Sequence, residues 1–307
     1  RRVVAVRLTA LRPASPLESF KRTASLARSM SDDAGERPLA RGVAARQRFA
    51  RIFALGDRRS PSSWTPGLVL SSADPELPLS MAAFRVKRDA STIPATMSME
   101  VLDDLCLPFG GLETWQAEEG LILPSSLVDS DSGSKSVGVQ LLPVSWQSLH
   151  HDVDLLEEGL EPSVIALIDA PQLAERPGKL IQAIDAIRRR FTTSLIYTPG
   201  IGGPDNCALL TWMGVDLFDL SRSHEAASRG VLLTEDGPRE VESTMGESTG
   251  IDTQIEAWQR ALASTRSAIR DGTIRQLTER QALSSPRSVE RLRRHDLMMS
   301  EKAIDDS

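Results

Sequence analysis

Residues 163–220 read SVIALIDAPQLAERPGKLIQAIDAIRRRFTTSLIYTPGIGGPDNCALLTWMGVDLFDL. This stretch decides the fold. Ser163 to Ile168 is a continuous apolar, β-branched run, as expected of a strand buried on both faces. It stops at Asp169. Pro177-Gly178 then opens a helix from Lys179 to Arg190, with Leu180, Ile181, Ile184 and Ile187 on one face. Ser194 to Tyr197 is the next buried strand. Pro204 and Asp205 start a helix through Met213, since proline is tolerated in a first helical turn and Gly214 is a natural stop. Val215 to Leu220 is a third strand. Strand–helix–strand–helix–strand is the grammar of a parallel α/β sheet.

Downstream the pattern is helical. Ile255, Trp258, Leu262 and Ile269 line one face of a helix ending near Gly272. Thr273 caps a second helix through Leu283. Ser285-Pro286 begins a third, with Val289 and Leu292 inward and Arg291, Arg293 and Arg294 outward. Upstream, Arg48–Leu55, Gly67–Ser72, Ala82–Val86, Gly120–Leu127 and Val137–Leu142 read as short strands between Pro, Gly, Ser and Asp clusters. Met97–Cys106 and Leu8–Ala27 have helical character, and Asp129–Ser136 reads as a loop. The organisation expected is a poorly ordered basic tail over 1–42, a folded region over 43–300 whose pattern is strongest over 162–295, and a short tail over 301–307. A start at Arg1 rather than Met leads us to expect a piece of a longer or split protein.

The 307 residues are 40% hydrophobic and 25% charged, which excludes collagen-like and wholly disordered chains. No run reaches the ~18 apolar residues of a membrane helix, so no membrane partner is expected, and nothing reads as a secretory signal. Cys106 and Cys207 are too few for a disulfide framework or a Cys-rich zinc site. The net charge of −6 hides an asymmetry. Residues 1–60 carry 14 Lys/Arg against 5 acids, residues 258–295 carry 9 Arg against 3 acids, and residues 61–257 carry 12 bases against 30 acids. The basic ends read either as phosphate footprints or as solvated faces.

Asp169, Asp216 and Asp219 lie in or at the ends of buried strands, where parallel α/β folds gather their chemistry. Alternation sends Asp216 to one face with Phe218, and Asp219 to the other with Leu217. Asp219 has the position of a nucleophile or base, although strand-end aspartates also cap loops. YTPGIGG (Tyr197–Gly203) joins a strand to a helix start. It is either a ligand loop or a tight turn, and it lacks the Lys of a phosphate P-loop and the third glycine of the dinucleotide fingerprint. His150-His151 has no partner at metal-ligand spacing. His224 stands in a better place for proton transfer or phosphate contact. Cys207 reads as a buried structural thiol, and Trp212 and Trp258 as core. Aromatic content of 4% argues against a stacking platform for single strands.

The block Leu195–Gly230, with YTPGIGGP followed by Gly214-Val215-Asp216-Leu217-Phe218-Asp219, resembles the signature region of the tRNA-guanine transglycosylase superfamily, and within it the archaeosine synthase type. The resemblance implies a (β/α)8 TIM barrel with C-terminal helices, degenerate or incomplete here. It implies tRNA modification in the 7-deazaguanine (archaeosine) pathway, by a cytoplasmic transferase acting on the modified guanine base of tRNA. It assigns the nucleophile to Asp219 and substrate contacts to Asp169, Tyr197, Gly200, Arg222 and His224. The partners implied are tRNA and a separate RNA-binding or catalytic subunit. Residues 231–307 contain no Cys, so the family's zinc is not expected and no cofactor is assigned. The family's second catalytic aspartate has no counterpart, because Asp131-Ser132-Gly133-Ser134 continues into Lys135-Ser136 and lies too near Asp219. The alternative is a non-catalytic tRNA-binding or scaffold subunit with a transglycosylase-like fold.

Overall fold

The computed structural model describes residues 39, 41–56, 59–71, 74–86, 121–122, 138–139, 141–146, 149, 162–241 and 250–305. The helices expected over 8–27 and 97–106, the loop 129–136 and His150-His151 lie outside the described residues. So does most of the expected 1–42 tail, although Leu39 is buried and Arg41 already belongs to a strand.

Strands β1 (Arg41–Gln47), β2 (Ala50–Gly56) and β3 (Pro61–Trp64) form an antiparallel sheet. Arg48, at φ 54°, makes the turn between β1 and β2 where the sequence suggested one strand. The main sheet contains β4 (Gly67–Leu70), β5 (Ala82–Val86), β6 (Leu121–Ile122), β7 (Gly138–Val139), β8 (Leu141–Val144), β9 (Val164–Leu167), β10 (Leu195–Tyr197) and β11 (Leu217–Phe218). Its order is β7-β6-β5-β4-β11-β10-β9-β8. The six strands from β8 to β5 are parallel, whereas β6 and β7 are antiparallel additions. The expected closed barrel is therefore corrected. The described strands make a curled, six-stranded parallel half-barrel, because β5 continues into antiparallel β6 rather than into a further parallel strand.

Helices α1 (Ala170–Ala174), α2 (Pro177–Arg190) and α3 (Cys207–Met213) connect the second group of strands. After β11 come α4 (Ser221–Ser228) and the hairpin of β12 (Val231–Thr234) and β13 (Gly237–Glu240). The chain ends in α5 (Ile251–Arg270), α6 (Ile274–Ala282) and α7 (Pro286–Asp305), the expected C-terminal helices.

Alternation along the parallel strands builds two apolar layers. Leu68, Ile165, Leu167, Ile196 and Phe218 pack outward with Leu180, Ile184, Trp212 and Trp258 of the helices. Val69, Val164, Ala166, Leu195, Tyr197 and Leu217 pack inward with Phe53 and Leu55 of β2. Both faces are thus dry, which is why the strands read as uninterrupted apolar runs. Polar staples fix the helices. Gln281 accepts from Ala208 N at 3.0 Å and donates to Pro204 O at 3.2 Å, holding α6 to the start of α3. Trp258 donates to Ser223 Oγ at 2.9 Å. The buried Arg266 guanidinium donates to the carbonyls of Trp64, Pro66 and Ser80, and burial lowers its pKa to about 10.

Candidate functional site

Four elements converge at the carboxyl ends of the parallel strands. The loop after β10 supplies Gly200, the end of β11 supplies Asp219, the segment after β4 supplies Asp74, and α4 supplies His224. Asp219 is 1% exposed. Its Oδ2 accepts from Tyr197 Oη at 3.0 Å and Gly200 N at 2.8 Å, and its Oδ1 accepts from Ser221 N at 2.8 Å. Burial raises its pKa, and these donors pull it back. The neighbouring carboxylate and burial together push the Tyr197 phenol well above its ordinary value, burial being the larger cause. Gly200 sits at φ 75°, a left-handed conformation that aims its N–H at Asp219.

His224 Nε2 lies 2.6 Å from Asp74 Oδ1. That hydrogen bond raises the His224 pKa, and the nearby Asp219 charge adds to the rise. Asp74 is oriented by Ser71 N, which donates to its Oδ2 at 2.6 Å. Arg85 in turn donates to the carbonyls of Ser71 and Asp74. Sequence reasoning missed Asp74. Its only signal was a carboxylate shortly after the apolar strand GLVL, the same placement that drew attention to Asp169.

The structure brings Asp219, Tyr197, Gly200 and His224 together. It places Asp169 and Arg222 elsewhere. Asp169 ends β9, where its Oδ2 accepts from Trp146 N at 2.9 Å and its buried Oδ1 has no partner. Burial raises its pKa as well. Arg222 forms a bidentate pair with Asp205, both bonds at 2.8 Å.

The glycines of the loop answer to the protein's own packing. A Cβ on Gly202 would meet Phe218 Cδ1 at 2.6 Å, and one on Gly203 would collide with Asp205 and Arg222. Asn206 clamps the same loop, its Oδ1 accepting from Gly203 N at 2.8 Å and its Nδ2 donating to Ile201 O at 2.9 Å. This delays the helix to Cys207, against the expected start at Pro204. Cys207 is fully buried and its thiol is pushed up to about 12, so it is inert.

Asp216 belongs to the other end of β11. Arg51 reaches it at 3.1 Å and Arg188 at 2.5 Å, and Ile196 N donates to its Oδ2 at 2.9 Å. It is a structural charge cluster. Arg291, expected to face outward, is 8% exposed and donates to Ala174 O at 2.8 Å, because α7 packs onto the end of α1. Among the described residues no three His, Cys, Asp or Glu converge as metal ligands, and no helix is long and apolar enough to cross a membrane.

The fold and site thus define a parallel α/β protein with a carboxylate-centred cluster at the carboxyl ends of its strands. Over 146 residues, 47% of this chain, it is 33% identical to a curated protein named archaeosine synthase from Methanocaldococcus jannaschii. The matched stretch spans 25% of that protein's length. No family model matches the chain.

Proposed function

We propose that this protein acts in tRNA modification, in the archaeosine branch of 7-deazaguanine chemistry, as a cytoplasmic transferase-type enzyme on a modified guanine of tRNA. The observation that carries the reading is the 33% identity to an archaeosine synthase. Two features of the structure support it. The last parallel strand, β11, pairs with the first, β4, as in the seam of a (β/α)8 barrel of transglycosylase type. The hexamer's final aspartate also lies where barrel enzymes keep their chemistry. Asp219 is the carboxylate of the site, Tyr197 and Gly200 hold it, and the Asp74–His224 pair is the proton-carrying neighbour. Asp219 Oδ1 keeps one lone pair beyond the bond from Ser221, which is the position for attack or proton acceptance.

One observation favours the second reading, a non-catalytic tRNA-binding or scaffold subunit. Asp219 is buried with both oxygens engaged, and it ties the loop after β10 to β11. The proposal includes no zinc, since residues 231–307 hold no Cys.

Both readings require tRNA binding. Of the arginines in 258–295, Arg266 and Arg291 are buried, and Arg275, Arg287 and Arg294 are ion-paired. The exposed Arg260, Arg270 and Arg293 are left to meet phosphates. Three such contacts imply a roughly 40-fold loss of affinity for a tRNA transcript between 50 and 200 mM salt. Fluorescence anisotropy reads this directly. No binding, or binding indifferent to salt, would remove both readings.

A further inference from the structure

A cavity of about 220 Å3 lies apart from the Asp219 cluster, between the loop after β10, the end of α1 and the first turn of α7. Its lining includes Glu175, Asp205, Arg222, Arg287, Ser288 and Arg291. Arg291 is more than nine-tenths buried. Its Nη2 is used by Ala174 O, but its Nε, also buried, finds no acceptor. A buried guanidinium N–H without a partner is costly unless something accepts from it. Ser288 is 6% exposed and lines the same space.

The start of α7 adds a field of the same sign. The helix runs for 20 residues and has no acid in its first turn. Its geometry leaves the Ser288 N–H without an intrahelical acceptor. The positive end of the helix dipole therefore meets the cavity at Ser285, Arg287 and Ser288. The two carboxylates in the lining are answered, Asp205 by Arg222 and Glu175 by Arg287. Three guanidiniums against two carboxylates leave one positive charge before the helix contributes.

We propose that this cavity binds the phosphate group of a phosphate ester, with Arg291 Nε and the Ser288 N–H as donors. The volume holds a phosphate and part of the sugar attached to it, since it equals the space of about seven waters at ~30 Å3 each. The site depends on neither reading of the Asp219 cluster.

Isothermal titration of the whole chain with inorganic phosphate, against chloride at matched ionic strength, tests it. Saturable binding at one site is expected. Ser285→Asp should weaken it at least tenfold, because the new carboxylate stands at the anion's position. Aspartate is also a favoured N-cap, so the melting temperature of that variant should hold or rise, which separates lost binding from lost folding. Arg291→Lys, which keeps the charge and removes Nε, should weaken binding at least threefold. Heats equal to those of chloride, or phosphate binding by Ser285→Asp equal to the parent's, would overturn the proposal. Competition then identifies the source. Displacement of phosphate by the diester UpU assigns an RNA backbone, and displacement by ribose 5-phosphate alone assigns a small monoester. Failure of both would also overturn it.

Discussion

The two ends of β11 carry aspartates three residues apart, and the fold treats them in opposite ways. Asp216, at the amino end, is buried against Arg51 and Arg188. Asp219, at the carboxyl end, is equally buried, but its printed partners are two backbone N–H groups and a phenol, with no cation among them. Burial raises both pKa values. Neutralising a buried carboxylate with arginines serves architecture. Holding one with neutral donors keeps its charge available to a substrate, at some cost in stability. The carboxyl end of a parallel sheet is where the second arrangement is tolerated, because bond chemistry, not packing, is done there.

The largest effect should come from the amino end. Asp216→Asn leaves two buried guanidiniums without their counter-charge, and removing one partner of such a cluster costs roughly 3–5 kcal/mol. Urea unfolding midpoints measure this. A loss below about 1 kcal/mol would mean that the two ends do not differ as described.

The histidines sharpen the contrast. His295 lies on the amino-end side, with ring centroids 6.2 Å from both Phe49 and Trp212 and no hydrogen-bond partner on either nitrogen. Burial lowers its pKa to about 4 from 6.5. The unfolded chain therefore binds the proton more readily. Stability from this group is intact above pH 6.5 and is lost as pH falls toward 4, by up to about 3 kcal/mol. The raised carboxylates Asp169, Asp216 and Asp219 take up protons in the folded state and oppose part of that loss. The difference between the parent and His295→Phe isolates the histidine, and the variant should show the flatter profile between pH 6.5 and 4. His224 has the opposite sign, because Asp74 raises its pKa. Its contribution is present below pH 6.5 and fades as pH rises through the folded value. Identical pH profiles for the parent and His295→Phe would contradict the buried, neutral state.

The strands and helices between 163 and 197 were legible because both layers of the sheet are apolar and each period is unmixed. The shortening of Val215–Leu220 to Leu217–Phe218 was not. There the Asp216 carboxylate takes the Ile196 N–H that a ladder carbonyl would accept. The burial of Arg291 was illegible for a related reason, since its acceptor is a carbonyl 117 residues away. Within the site, Asp219 and Tyr197 could be read from strand position. The Asp74–His224 contact spans 150 residues and leaves no local pattern. The antiparallel β6 and β7, which end the parallel run, carry too few residues to show a period.

The central claim is that Asp219 is the chemical group of a tRNA-modifying site. It is tested most directly by replacing the native gene with the Asp219→Asn variant and quantifying modified nucleosides in total tRNA by mass spectrometry. The purified variant is melted in parallel to confirm folding. Loss of the 7-deazaguanine product from cells holding folded Asp219→Asn protein is the expected result. Unchanged product with folded variant would contradict the claim and leave the tRNA-binding scaffold.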